Sequence, residues 1–276
     1  MSGPLGDPVD AQWLLVGDTA YIEMARASGL GLIDGPSGND PLGASTHGTG
    51  ELIQAAVAAG ARRVVTTLGG SATTDGGFGA LRALEPLARL RGVRITVACD
   101  VETRFVDAAA VFAPQKGASP AQVELLRRRL ERLADVYLEE RGIDVRDIVG
   151  GGAAGGLAGG LASIGAELVS GFRLVAEAVG LALTIERSNL VVTGEGFVDE
   201  QSFAGKVVGG VCELAAECGV PVLVVAGQVL DGLDLSTVPG DVEVVSLVDR
   251  FGKDRAWDHP VACVYEIVAE RLSAIE

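Results

Sequence analysis

The segment GGSATTDGG, residues 69–77, concentrates the residue types that bind small anions. Glycines let a backbone turn its N–H groups toward a ligand, and the hydroxyls of Ser71, Thr73 and Thr74 are short hydrogen-bond donors. The segment therefore predicts a cradle for a phosphate or a carboxylate group. The alternative is an ordinary strand-to-helix turn in which Asp75 caps the helix.

A second segment, TGEGFVDEQSFAGK at residues 193–206, carries two carboxylates and a lysine, Glu195, Asp199 and Lys206. Carboxylates can hold Mg²⁺ or accept a proton from a hydroxyl group, and a lysine can neutralise a phosphoryl group in transfer. Lys116 also directly precedes a glycine in a loop, in QKG. The alternative for the second segment is a solvated surface loop.

The glycine-rich segment after residue 149 formally matches a dinucleotide-binding pattern. Gly150, Gly152 and Gly155 satisfy GxGxxG after a predicted strand at residues 144–149. A segment so rich in glycine satisfies many such patterns by chance, so we expect a helix packed closely against another backbone. A nicotinamide-dependent oxidoreductase is the minor alternative. The Walker A pattern does not occur, and two histidines without a CxxC pair do not predict a zinc site.

The net charge and the composition argue against several classes of binding partner. A formal net charge of -15 argues against nucleic acid, because phosphate backbones are bound by clustered lysine and arginine. The uncharged stretch at residues 148–166 is mostly glycine and alanine, so a membrane span is not expected. The four cysteines lie in apolar segments, which is typical of a reduced, cytoplasmic protein.

The elements that must position these residues follow an α/β pattern with a largely parallel sheet. Short apolar runs predict strands covered on both faces, at residues 63–67, 93–98, 189–193, 221–226 and 242–247. Ser119, Pro120 and Gly142 bound a long predicted helix, and a final amphipathic helix is expected over 256–275. Three of the predicted strands are followed by the loops just described or by CDVETR, where α/β sheets bind ligands.

Six ordered segments make the chain resemble the bacterial glycerate kinase family. They are IEMARASGL, HGTGELI, GGSATTDGG, FAPQKGAS, GGGAAGGLAGGL and TGEGFVDEQSFAGK, and the match begins at GPLGDPV. The resemblance implies two α/β domains with largely parallel sheets and a ligand site in the cleft between them. From it we expect residues 1–72 with 188–276 to form one domain and 73–187 the other. It also implies ATP, Mg²⁺ and phosphoryl transfer to a hydroxyl of D-glycerate.

The resemblance also assigns roles to the residues singled out above. Phosphate or the glycerate carboxylate would be bound by Gly69, Gly70, Ser71, Thr73, Lys116 and Thr49. The catalytic set would be Asp199, Lys206 and Asp75, and the metal ligands Glu195 and Asp199. The sequence does not divide these roles further, nor does it predict the phosphorylated hydroxyl or the oligomeric state.

Departures from the family pattern keep a second interpretation open. The loop CDVETRFVDAA lacks the usual Asn-Pro-Leu, Phe197 replaces an arginine, and SATTD replaces SATND. Family chains usually begin several dozen residues earlier, with a strand and a lysine-containing loop that we expect this chain to lack. The alternative function is a truncated or degenerate relative that binds a small anionic ligand without catalysis.

Overall fold

The structure, a computed structural model, describes residues 1–203 and 207–274. Its strands are β1 (Leu14–Val16), β2 (Thr19–Glu23), β3 (Arg63–Thr67), β4 (Arg94–Ala98), β5 (Glu167–Val169), β6 (Val191–Val198), β7 (Val222–Val229) and β8 (Val242–Ser246). Its helices are α1 (Ala25–Ser28), α2 (His47–Ala58), α3 (Phe78–Leu84), α4 (Ala108–Phe112), α5 (Pro120–Arg141), α6 (Ala153–Ala162), α7 (Gly171–Ala178), α8 (Leu181–Glu186), α9 (Val207–Cys218), α10 (Leu247–Phe251), α11 (Lys253–Asp258) and α12 (Pro260–Ser273).

The chain forms two compact units, unit 1 (Met1–Gly171) and unit 2 (Phe172–Glu276). This division differs from the boundaries expected from the sequence. Strands β2, β3 and β4 pair side by side, so the segment on both sides of residue 72 belongs to one sheet and one core. Both units are α/β with largely parallel sheets, which confirms the predicted fold class.

Unit 1 is built on a five-stranded sheet whose strands follow the chain order β1 to β5. Strand β1 runs antiparallel to β2, and the other neighbours are parallel. On β2 and β3, Ala20, Ile22 and Val64 are buried while their neighbours along the strand are more exposed. They share a core with Leu52 and Ile53 of α2. One face of these strands therefore carries the main core.

Helix α5 is formed as the sequence predicts. The Ser119 hydroxyl accepts from the Gln122 N–H while the Gln122 side chain accepts from the Ser119 N–H, and Gly142 ends the helix at a φ of 71°. Its buried face packs Leu126, Leu130 and neighbouring apolar residues into a second core of unit 1. This packing fixes α5 beside the loop that follows β3.

Unit 2 contains three parallel strands in the order β6-β7-β8. The central strand β7 is covered on both faces, because Val222 and Val224 face one core and Leu223 and Val225 face another. Strand β6 is more exposed, with Val192 and Phe197 nearly half accessible. The expectation of strands covered on both faces therefore applies to β7 and not to β6.

Two predicted elements differ in the structure. Residues 144–149 form turns and irregular backbone rather than a strand, which removes the strand that a dinucleotide fingerprint requires. The predicted final helix is divided at His259 into α11 and α12, because Pro260 starts a new helix. Among the described residues, no helix combines the length and apolar character needed to cross a bilayer.

Candidate active site

The loop 69–77 leaves the carboxyl end of β3 and is held by the backbone of residues 28–30. The Leu30 N–H donates to the Gly70 carbonyl at 2.9 Å, and the Ala72 N–H donates to the Ser28 carbonyl at 3.0 Å. Gly70 adopts a φ of +75°, which a side chain would strain. The first half of the loop is thus fixed by main-chain hydrogen bonds, with Ser71 half-buried at the turn.

Asp75 is the anchor of the second half of the loop. Its carboxylate accepts the N–H groups of Gly77 and Gly79 at 3.1 Å, and the N–H and hydroxyl of Thr46 at 2.8 and 2.9 Å. Burial raises the pKa of Asp75, against the effect of those four hydrogen bonds. The carboxylate joins the starts of α2 and α3, which is the capping role considered for it from the sequence.

Lys116 lies buried against the same loop, with 3% of its surface exposed. Its Nζ donates to the Thr73 carbonyl at 2.6 Å. Burial lowers the pKa of Lys116 to about 8, and the nearby Asp75 carboxylate opposes that shift. A buried ammonium with one hydrogen-bond acceptor is costly to keep, so it is a strong indication of a functional site.

Asn39 joins this cluster, and sequence reasoning missed it. Its Nδ2 donates to the carbonyls of Ala72 at 3.0 Å and Lys116 at 2.8 Å. Its Oδ1 is buried without a hydrogen-bond partner among the described residues, and so is Oγ1 of Thr73. In the sequence Asn39 stands in a glycine- and proline-rich stretch, where asparagine is most simply a turn residue. Asn39, Thr73 and Lys116 are hereafter called the Lys116 cluster.

Thr49 and Gly69, both predicted to bind ligand, have different surroundings. Thr49 is fully buried, and its hydroxyl shares a 2.8 Å hydrogen bond with the hydroxyl of Ser28. That hydrogen bond holds Ser28 in place, and residues 28–30 are in turn hydrogen-bonded to the backbone of the loop 69–77. Gly69 has no atom within 4 Å of the position where a Cβ would stand, so its backbone faces open space.

The glycines of α6 pack against the loop backbone, as the sequence analysis preferred. The Gly76 N–H donates to the Gly155 carbonyl at 3.0 Å. A Cβ on Gly155 would lie 2.0 Å from the Thr73 carbonyl oxygen, and one on Gly160 would lie 2.5 Å from the Gly76 carbonyl oxygen. Residues 154–156 are left-handed, with φ values of 52°, 68° and 93°. The GxGxxG pattern therefore reflects close packing of two backbones.

A cavity of about 560 Å³ borders the far end of the loop at Thr74 and Asp75. Most of its lining surface is apolar, and half of its lining residues come from α5, including Leu126, Leu130 and Leu133. Both oxygens of Asp75 are occupied by the hydrogen bonds described above. The apolar side chains suit an apolar group, while Arg128, Arg129 and Arg132 offer positive charge to an anion.

In unit 2, Glu195 lies in the second half of β6 and Asp199 directly follows that strand. Oε1 of Glu195 is buried without a hydrogen-bond partner among the described residues. Oδ1 of Asp199 accepts from the N–H and hydroxyl of Ser202, at 3.1 and 3.3 Å. Lys206 lies outside the described residues.

The two carboxylates offer the hard oxygen ligands that Mg²⁺ prefers, and the unpaired oxygen of Glu195 fits a cation. They are four residues apart along an extended strand, so their Cα atoms are separated by about 13 Å. This spacing is near the limit at which both could reach one ion. In the described part of the chain, no group of three or more acidic, histidine or cysteine side chains is placed to hold a metal.

Comparisons with known proteins agree with this architecture. The sequence profile of the glycerate kinase family matches residues 1–87 and 85–273. The chain is 38% identical to glycerate 2-kinase of Escherichia coli K12, covering 91% of this chain and 75% of that protein. It is 40% identical to glycerate kinase of Bacillus subtilis 168, with 91% and 76% covered.

A solved structure gives the same result for the fold. The crystal structure of a candidate glycerate kinase 2 from Salmonella typhimurium LT2 superposes with a TM-score of 0.73 at 35% identity, covering 99% of this chain and 81% of that one. The chain therefore belongs to the glycerate kinase family.

Proposed function

We propose that this chain transfers the terminal phosphoryl group of ATP to a hydroxyl of D-glycerate, giving phosphoglycerate, with Mg²⁺ as the accompanying ion. Membership of the glycerate kinase family supports the reaction. The structural observation that carries the proposal is the buried ammonium of Lys116 beside Thr73 of the loop, whose hydroxyl oxygen has no hydrogen-bond partner among the described residues. Such a cluster is pre-organised for an anionic substrate.

Unit 1 supplies the anion-binding groups in this proposal. The backbone of residues 69–71 and the hydroxyls of Ser71 and Thr73 bind phosphate or the glycerate carboxylate, and Lys116 neutralises its charge. Phosphoryl transfer depends on positioning and on charge stabilisation more than on covalent chemistry, and a buried ammonium stabilises charge strongly. Asp75 and Thr49 act as positioning residues, since their polar atoms hold the loop and its neighbours in place.

Unit 2 supplies the metal-binding groups. When bound, Mg²⁺ would neutralise the phosphate oxygens of ATP. Glu195, with its unpaired buried oxygen, is the principal protein ligand that we propose for the ion. Asp199 stays a prediction as a second ligand or as the base that accepts the hydroxyl proton, and Lys206 stays a prediction for charge stabilisation. Phe197 is exposed where family members usually carry an arginine, so that position adds no charge here.

The compartment is a related proposal. All four cysteines are free, which supports a reducing compartment. We therefore place the protein in the cytoplasm, with ATP and D-glycerate as its small-molecule partners and without nucleic acid or membrane partners.

The deciding experiment measures ADP release from MgATP by the purified 276-residue chain, with and without D-glycerate. We expect release that depends on glycerate. The same assay without Mg²⁺, in the presence of a chelator, should show no release.

A folded chain that binds D-glycerate without releasing ADP would contradict the kinase. It would favour the degenerate relative that only binds a small anion. A chain that neither binds D-glycerate nor releases ADP would contradict the substrate itself.

A further inference from the structure

The orientation of the Asn39 side-chain amide is fixed by its surroundings. Both groups that its amide nitrogen contacts, the carbonyls of Ala72 and Lys116, can only accept hydrogen bonds. Turning the amide over would place Oδ1 against two carbonyl oxygens. The nitrogen must therefore face the carbonyls, and Oδ1 must face away from them.

The oxygen of the same amide, Asn39 Oδ1, is a hydrogen-bond acceptor that no described donor satisfies. It is buried and has no hydrogen-bond partner among the described residues, in common with Oγ1 of the fully buried Thr73. Buried polar atoms are rarely left unpaired, because losing water without gaining a partner is unfavourable, so two of them in one cluster call for a functional explanation. The hydrogen bonds of Asn39 and of Lys116 reach the adjacent residues Ala72 and Thr73, which keeps these atoms in one neighbourhood.

The Lys116 cluster offers both hydrogen-bond donors and a hydrogen-bond acceptor. Lys116 carries an ammonium with three N–H donors, of which one is used by the Thr73 carbonyl. Asn39 Oδ1 can only accept. A ligand that satisfies both must combine an anionic group with a hydrogen-bond donor such as a hydroxyl, whereas an inorganic phosphate dianion would set acceptor oxygens against Oδ1. This complementarity favours a small hydroxy acid over a simple anion.

We propose that Asn39 Oδ1 accepts a hydrogen bond from a hydroxyl of the bound hydroxy acid while Lys116 binds its anionic group. This inference rests on the proposed function and adds to it a residue that determines specificity. Asn39 is then the reason that the site requires a hydroxyl as well as a negative charge. Its own amide nitrogen fixes it to the backbone carbonyls of Ala72 and Lys116.

The test is calorimetric binding of D-glycerate and of two analogues that each lack one hydroxyl, D-lactate and 3-hydroxypropionate. We expect the wild-type chain to bind one analogue at least about tenfold more weakly than D-glycerate, the scale of one lost hydrogen bond in a buried site. The variant Asn39→Ala should bind D-glycerate and that analogue within about twofold of each other. Asn189→Ala, the same change at an exposed asparagine of unit 2, should keep the wild-type ratio.

A measurement on the wild-type chain alone keeps the test valid if Asn39→Ala does not fold. Methyl ethers of D-glycerate at either hydroxyl keep an oxygen but lose the donor, so one of them should bind as weakly as the matching deoxy analogue. Equal binding of all these ligands by the wild-type chain would overturn the role of Asn39.

The remaining outcomes separate the two proposals. An Asn39→Ala chain that loses the same factor for every ligand would show a structural residue and overturn the inference, with glycerate-dependent ADP release still supporting the kinase. A wild-type chain that neither binds D-glycerate nor releases ADP would overturn the proposed function, and this inference with it.

Discussion

The loop 69–77 of unit 1 and the segment around Glu195 and Asp199 of unit 2 both leave parallel strands, but they are held differently. The loop is hydrogen-bonded to three separate segments of the chain, at residues 28–30, at Thr46 and at Gly155. The contacts described for Asp199 stay within its own turn, at Ser202. The first site is therefore held in shape by contacts between distant segments of the chain, whereas the contacts described for Asp199 in the second are local.

The largest effect should follow from removing the buried charge of unit 1. Lys116→Met keeps most of the side-chain volume, and we expect kcat/KM for D-glycerate to fall at least about 100-fold, as for loss of one stabilising group at a charged transition state. Steady-state ADP release measures it. Lys253→Met, at an exposed lysine, is the matched control and should leave the rate unchanged. Retained turnover in Lys116→Met would remove Lys116 from the proposed site.

The second prediction tests the backbone packing that distinguishes the loop. Gly155→Ala places a Cβ 2.0 Å from the Thr73 carbonyl oxygen at a φ of +68°, so we expect a loss of about 3 kcal/mol in the free energy of unfolding. Gly196→Ala on β6 meets no atom within 4 Å and should change it by less than about 0.5 kcal/mol. Urea unfolding followed by far-UV circular dichroism measures both, since both units contain helices.

Equal losses in the two glycine variants would contradict the contrast between the units. A Gly155→Ala chain as stable as the wild type would show that the loop and α6 can separate at little cost.

The third prediction concerns the carboxylates of unit 2. Glu195→Gln removes the charge but keeps the shape, and we expect the Mg²⁺ concentration for half-maximal velocity to rise roughly tenfold. Asp199→Asn should act in the same direction if Asp199 is also a ligand. Glu200→Gln, at a neighbouring exposed carboxylate, is the control. An unchanged Mg²⁺ dependence in Glu195→Gln would contradict its role as a ligand.

The smallest effect is expected from pH. Because burial lowers the pKa of Lys116 to about 8, the ammonium is charged below that pH and loses its proton above it. If the charge binds substrate, kcat/KM should fall as pH rises through about 8. Rates between neutral and alkaline pH measure it, with Lys253→Met as the control. A flat profile through that range would show that the Lys116 charge is not needed.

Local patterns in the sequence predicted the fold class well. Ser119, Pro120 and Gly142 marked helix α5, and the apolar runs marked β3, β4, β6, β7 and β8. Strands β1, β2 and β5 were not predicted from the sequence. Two of these strands have only three residues, and β2 mixes polar with apolar residues. The strand predicted at residues 144–149 is absent, because turns follow α5 there. Short strands depend on their neighbours in the sheet more than on their own composition.

The candidate site was predictable only in part. The glycines and hydroxyl-bearing residues at 69–77 are residue types that bind anions, so they indicate an anion site from the sequence alone. The structure adds that Lys116 lies beside them. Asn39 could not be found in this way, because its hydrogen bonds join residues far apart in the chain. The sequence likewise could not show that the Asp75 carboxylate is occupied by capping hydrogen bonds while the Thr73 hydroxyl oxygen has no partner among the described residues.

The backbone contact between Gly155 and the loop has a consequence for how such a site could change over evolution or in the laboratory. The shape of the loop depends on close contacts between its backbone and the backbone of α6. A substitution of a glycine at these contacts, in either segment, would therefore require a compensating change in the other. The side chains of Ser71 and Asn39 are not bound by that constraint. We therefore expect substitutions that alter substrate preference to occur first at Ser71 and Asn39, while the glycines of the loop and of α6 remain unchanged.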